Sequence, residues 1–255
     1  MTAGAPRSPL RTLNPLAMLA AVVPPTVLLV FTRDAVTPLV FLALCVVLLL
    51  VAGRPSPRMV LVLVLVLPLA VLALGAGFAA WVDPALVADS DVALRIGAWS
   101  LHAEALTIGL TTGIRLGAIA ALALLAGVTT TGQDLVRAMV QHLRVPYRVG
   151  YTALAAFRFV PRFGPELDLL RQAHRVRGAH GGRGPFAALA RGFGYVVPLL
   201  AGAIRHAERV ALAMDARAFG AYPTRTERHL VPWRARDTAF VLGFWAASAA
   251  IFLLT

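Results

Sequence analysis

The sequence predicts an all-α, polytopic membrane protein, with about five transmembrane helices and a cytoplasmic module of amphipathic helices. Three observations lead there. Of 255 residues, 59% are hydrophobic, and the mean hydropathy is +0.77. A water-soluble fold would lack the polar surface to cover so many apolar side chains. Several apolar runs approach or exceed the roughly 20 helical residues that a bilayer core demands. The charge is also unevenly placed: the formal net is +12, and residues 129–237 alone hold 17 arginines against 7 acids. All 24 cations are arginine. With so much alanine and no lysine, this looks like a base bias, so a single arginine is weak evidence of a choice over lysine.

Taken in order, the first run is Leu16 to Phe31. Arg7 and Arg11 precede it as they would a signal peptide. Pro24 and Pro25 lie inside it, however, and longer apolar runs follow, so it is read as a retained, short, proline-bent first span. Ala35 to Ala52 is an uninterrupted second span, with Cys45 inside it as a small buried hydrophobe that has no disulfide partner. Met59 to Val82 is the third. The stretch from Trp81 to Glu104 carries Asp83, Asp89, Asp91 and Glu104 against Arg95, the character of an outside loop. Ala105 to Val128 is the fourth span, and Thr238 to Thr255 the fifth. Arginine-bearing connections stay in the cytoplasm. Arg7, Arg11, Arg54, Arg58 and the basic module therefore place the N-terminus and residues 129–237 inside. The expected division is 1–128 for the first four spans, 129–237 for the cytoplasmic module and 238–255 for the last span.

Arg115 falls near the middle of the fourth span, where a charge costs on the order of 3 kcal/mol even on lenient insertion scales. Either it faces a partner or the bundle interior, or the span is shifted and the guanidinium snorkels.

The basic module alternates apolar and polar stripes, so it reads as helices and not as a disordered tail. One helix covers Gln133 to Leu143 behind the "TTTGQD" start signal, and an apolar one runs from Tyr151 to Val160, ending at Pro161. In Glu166 to Arg177 the polar side holds Asp168, Arg171, Gln172 and Arg175, opposite Leu169, Leu170, Ala173 and Val176. It stops at Gly178. A last helix runs from about Val197 to Arg217, with Arg205, Glu208, Arg209 and Asp215 on one arc, and stops near "AFGAYP".

No catalytic constellation emerges. The histidines His102, His142, His174, His180, His206 and His229 lack the spacing of a helical zinc site, and no second cysteine is present for a thiolate site. A phosphate-binding loop with lysine is excluded by the missing lysine, and the glycines around Arg183 read as a turn. Glu166 and Asp168 suit ion pairs with Arg171 and Arg175 better than acid–base work. Arg177 and Arg217 each sit in the last turn of an amphipathic helix. There an arginine either complements its own helix's carbonyl end or projects into a groove on another protein.

These residues resemble a known family, the transmembrane (T) component of energy-coupling factor transporters, also called the cobalt-transport Q-type permeases. "RTLNPLAMLA" (Arg11 to Ala20) is similar to its opening Leu-Asp-Pro-Arg-Thr-Lys-like box, and Thr129, Thr130 and Thr131 match its Thr-Thr box. "AAFRFVPRF", with Arg158 and Pro161, matches an Ala-Leu-Arg-Phe-Val/Ile-Pro run. The two Ala-Arg-Gly motifs correspond to Val176, Arg177 and Gly178, and to Asp215, Ala216, Arg217 and Ala218, with "RT" following at Arg225-Thr226. Valine replaces the first alanine, and Ala218 replaces the second glycine.

The resemblance implies that the module is a coupling-helix module: its two arginine tips would dock into two ATP-binding-cassette ATPase subunits, or one fused double ATPase. Arg158, Pro161, Arg171, Arg175, Arg205, Glu208 and Arg209 would support the tips. Arg115 would be an intramembrane partner contact. ATP would sit on the partners, with no cofactor, metal or catalytic residue in this chain. A small substrate-binding membrane subunit would complete an importer of vitamins or transition-metal ions in a bacterial plasma membrane. The rival class is a membrane-embedded enzyme acting on lipid or an anionic metabolite, with the basic module as a headgroup-binding surface. It needs polar residues clustered at one depth, and the spans offer Arg115 alone. A nucleic-acid role has only charge in its favour, without interleaved aromatic residues.

Overall fold

The computed structural model describes residues 9–53, 56–83, 91–96, 99–177, 185–223 and 225–255. Two compact units emerge: residues 1–138 with 231–255, and residues 139–230. Their limits differ from the expected 129 and 237. The helix after the threonine box straddles the first, and the segment that begins at Val231 belongs with the membrane helices.

In the first unit, α1 (Pro15–Phe31), α2 (Val36–Val51), α3 (Pro57–Leu61), α4 (Leu67–Trp81), α5 (Ala103–Thr129) and α10 (Ala235–Leu254) carry the apolar runs. Pro57–Trp81, Ala103–Thr129 and Ala235–Leu254 are long and apolar enough to cross a membrane. α1 and α2 are equally apolar but have 17 and 16 residues, about 25 Å each at 1.5 Å per residue. α3 and α4 form one continuous rod through a π-turn at Val62–Val66, where Leu67 N–H reaches back to Val62 O. That widened turn sits just before Pro68, which has no N–H to give. Among the described residues the protein is all-α apart from one small feature: β1 (Val92–Ile96) and β2 (Trp99–His102) pair antiparallel, with Ile96 opposite Trp99, in the loop expected outside. The apolar run between its acids is too short to be told from loop by pattern alone.

α1 starts on a strong signal. Asn14 caps it, accepting the Leu16 N–H at 3.0 Å, and a proline fills the first helical position. The helix then continues through Pro24 and Pro25. Pro24 offers no N–H to the Ala20 carbonyl four residues back, and in lipid no water would replace it. The Trp245 indole, on α10, donates to that carbonyl at 2.9 Å. A second tie joins the same two helices. Asp237, 1% exposed, accepts N–H groups from Asn14 at 2.9 Å and Arg234 at 2.7 Å, while Asn14 Nδ2 donates to Val231 O at 3.2 Å. Arg236 adds a bond to the Thr12 carbonyl.

α4 and α5 pack closely because Gly75 faces Gly109 and Gly113. A Cβ on Gly113 would stand 2.6 Å from Val71 O and 2.9 Å from Gly75 N. This is the small-residue geometry by which helices associate in lipid. The core of the unit contains Met18, Phe41, Leu49, Leu63, Leu122 and Leu125, with Phe41 against Phe252 at a ring separation of 5.3 Å. Arg115 is half-buried on α5, and its Nη1 donates to the carbonyl of Thr32, the C-cap of α1, at 3.1 Å. A cation at a helix's carbonyl end is favourable, which offsets part of its burial cost. Beyond Thr32, Asp34 accepts the Thr37 N–H at 2.7 Å at the start of α2, and its bonds with Thr37 hold the carboxyl below its ordinary range.

Candidate functional site

The second unit contains the last turn of α6 (Gly132–His142), whose start belongs to the first unit, all of α7 (Tyr147–Phe159) and α8 (Phe163–Val176), and α9 (Pro185–Asp215). α6 begins where the threonine box ends. Thr131 accepts the Asp134 N–H at 3.2 Å and donates to Asp134 Oδ2 at 2.7 Å, and Asp134 also pairs with Arg137 at 2.9 Å. Pro161 sits in a short 3-10 turn, Val160–Arg162, that ends α7, with exposed Arg158 in its last turn. α9 begins at Pro185, twelve residues before the expected Val197, and runs on through Pro198. Gly192, Gly194 and Pro198 dilute the helical pattern, but pairing with α8 carries the helix past them.

That pairing is antiparallel. Phe159, just before α8, stacks on His206 at 4.5 Å; Glu166 lies against Gly202; His174 meets Tyr195 at 5.2 Å. As numbers rise on one side, they fall on the other. Arg177 therefore falls near residue 191, at the start of α9, while Arg217 lies just past its end. At 1.5 Å per residue the two arginines stand about 35–40 Å apart along the rod. Both are exposed. Val176, beside the first, is 90% exposed. Gly178 lies outside the described residues.

The second tip is built in more detail. α9 closes in a Schellman motif: Phe219 N–H bonds Met214 O at 3.0 Å, and Ala218 N–H bonds Asp215 O at 2.9 Å. Ala218 is the left-handed residue, at φ 53. This is the position where glycine is normally found, and the reason the motif has glycine where this chain has alanine. Arg217 is the C-cap, with Asp215 and Ala216 in the closing turn. Behind the tip, Phe219 packs on the Tyr147 and Tyr151 rings at 5.7 and 6.3 Å, and Arg225 lies 4.2 Å over the Tyr151 ring. The Tyr151 hydroxyl donates to Glu227 at 2.8 Å, and Tyr147 to the Tyr222 carbonyl at 2.6 Å. The segment after Arg217 is thereby held against α7, an arrangement that residue spacing along each helix could not reveal.

Among the supporting residues, Arg171 pairs with Asp168 at 3.0 Å. Arg175, Arg205, Glu208 and Arg209 are exposed and make no ion pair among the described residues. No group of three histidine, cysteine or acidic residues converges as a metal site among the described residues.

The family model described as cobalt transport protein (CbiQ) matches residues 6–228. The chain belongs to that family. An energy-coupling factor transporter transmembrane protein EcfT of Thermotoga maritima is 36% identical over 100 residues, 39% of this chain and 37% of that protein. The EcfT of Bacillus subtilis is 24% identical over 174 residues, 65% of this chain and 66% of that one. Each match thus spans less than two thirds of the relative's length. A Bifidobacterium longum protein named as an ABC transporter ATP-binding protein is 26% identical over 235 residues, covering 88% of this chain but 30% of its own length. The CbiQ-family chain is a membrane protein, and its relatives are named as transporter components, a non-enzymatic role.

Proposed function

We propose that this chain is the coupling subunit of an energy-coupling factor importer, with the arginine tips of α8 and α9 docking into two ATP-binding-cassette ATPase subunits or one fused double ATPase. The observation that carries this reading is the antiparallel α8–α9 rod with an exposed arginine at each end, about 35–40 Å apart. Two separated tips suit two separate clefts. Arginine suits such a tip because its planar fork pairs with carboxylates or carbonyls and stays charged. The Bifidobacterium longum protein adds support: a chain of this kind there makes up 30% of a longer polypeptide named as ATP-binding, which would keep the two parts together.

When the ATPases close on ATP, the tips would be drawn together or rotated, and the rod would pass that motion to a small substrate-binding membrane subunit. Val176, Gly178, Asp215, Ala216 and Ala218 would shape the tips, and Arg158, Pro161, Arg171, Arg175, Arg205, Glu208 and Arg209 would hold them in place. The part of Arg115 not engaged with Thr32 would touch the substrate-binding subunit within the bilayer. The module at residues 129–237 and the N-terminus would be cytoplasmic, in a bacterial plasma membrane. The cargo, a vitamin or a transition-metal ion such as cobalt, would be chosen by the substrate-binding subunit. The test is to express Arg177→Ala, Arg217→Ala and the double variant with the ATPases. ATPase co-purification and solute uptake should both fall, most in the double variant. Wild-type assembly and uptake in the double variant would discard the role.

A further inference from the structure

Between the end of α6 and the segment that follows the second tip lies an open cleft of about 650 Å³. Its walls include Arg144, Arg148 and Arg225, the rings of Tyr147 and Tyr222, and Glu227. We propose that this cleft is a phosphate-binding site, taking the phosphate group of an anionic lipid headgroup or of a soluble phosphate compound. The inference does not rest on the coupling role, since Arg177 and Arg217 do not line the cleft.

The first argument is conformational. Arg144 holds φ 55, a left-handed backbone disfavoured for any residue with a Cβ. The turn it makes is local: Val145 N–H returns to Met139 O at 3.3 Å. Glycine would make the same turn without strain, and asparagine with less of it. The shortage of lysine in this chain does not explain an arginine here, because glycine is abundant, at 21 residues. Strain kept where a relaxed residue was available points to use of the side chain. Among the described residues the Arg144 guanidinium has no hydrogen-bond or ion-pair partner within the chain.

The second argument is charge. Three guanidiniums face one carboxylate, and Glu227 is already engaged by the Tyr151 hydroxyl at 2.8 Å. Arg148 is fixed by its bond to the Gly220 carbonyl, and Arg225 by the Tyr151 ring. Two arginines are thus pre-positioned and a third is unpaired at the rim. A group with two negative charges and several acceptor oxygens matches that set better than a single carboxylate does. The Tyr147 hydroxyl is spent on the Tyr222 carbonyl, so the tyrosines offer ring faces, suited to the less polar remainder of a ligand. The volume lies within the ordinary range for small-ligand pockets.

The experiment uses the purified full chain in dodecyl maltoside, with thermal unfolding followed during titration. The probes are inorganic phosphate, pyrophosphate and dihexanoyl phosphatidylglycerol. Dihexanoyl phosphatidylcholine and chloride at matched ionic strength are the controls. At least one probe should raise the unfolding midpoint above its control. In Arg144→Gly, apparent affinity should fall about ten-fold or more, the usual consequence of losing a charged hydrogen-bond donor. The same variant without ligand should be as stable as wild type or more so, because glycine relaxes the backbone, and Arg144→Asn should behave alike. A response to phosphate or pyrophosphate assigns a soluble ligand, and a response to the lipid alone assigns a headgroup. Either supports the site. Equal titrations for wild type and both variants, or no response to any probe, would overturn it.

Discussion

Replacing Trp245 by phenylalanine removes one hydrogen-bond donor from the bundle and leaves the Ala20 carbonyl without a partner. The bond measures 2.9 Å, a normal length. It exists because Pro24 has no N–H for the position four residues before it. Interhelical bonds in membrane proteins average about 0.6 kcal/mol, with a maximum near 1.7. An orphaned carbonyl shielded from water costs about 1–3 kcal/mol. Since Trp245 is 43% exposed and the site lies in a span, about 1–1.5 kcal/mol is expected for the bond. A few tenths more come from the smaller ring.

The decisive comparison is a double-mutant cycle with Pro24→Ala. An alanine in place of the proline restores the N–H that reaches Ala20. In that background Trp245→Phe should lose only the ring contribution, and the coupling should be about 1 kcal/mol. The assay is reversible unfolding in mixed micelles, followed by circular dichroism so that loss of a tryptophan does not distort the signal. A coupling within about 0.3 kcal/mol of zero, the usual scatter for independent sites, would refute the claim that the indole substitutes for the missing amide.

Three further outcomes follow from the geometry. Gly113→Ala should destabilise by about 1–3 kcal/mol, because the new methyl meets the backbone of Val71 and Gly75, whereas Gly127→Ala on the same helix meets nothing within 4 Å and should be neutral or better; unfolding midpoints of the pair give the comparison. Asp237→Asn should lose about 2 kcal/mol, since a buried carboxylate accepting two N–H groups becomes an amide that can present only one oxygen; chemical unfolding of the purified chain measures it. Ala218→Gly should stabilise by about 1 kcal/mol by relaxing φ 53, read as a higher unfolding midpoint.

The spans were legible in the sequence because apolar length is a local property: the runs from Leu16, Ala35, Met59, Ala105 and Thr238 all became helices. The tip residues were legible as helix ends, since Arg177 and Arg217 precede breaks in amphipathic patterns. What the sequence hid is relational. Nothing near Pro24 announces that Trp245, 225 residues from Ala20, will serve the orphaned carbonyl. Arg115 lies in an apolar run, and its acceptor is a main-chain oxygen on another helix, which no side-chain pattern encodes. The early start of α9 was masked by Gly192, Gly194 and Pro198, each of which weakens a helical pattern that tertiary pairing restores. The left-handed turn at Ala218 could have been suspected from "ARAFG", where the motif's glycine is missing but the helix still has to end.

The two ties between α1 and α10 also bear on how the chain is made. Asn14 and Asp237 are 223 residues apart, and at about 5–20 residues per second a ribosome needs roughly 10–45 s to travel from one to the other. Throughout that interval the Asn14 N–H lacks its Asp237 acceptor and the Ala20 carbonyl its Trp245 donor. Insertion of the first span is therefore provisional, dependent on the translocation machinery or on headgroup water, until the closing segment emerges and seals both.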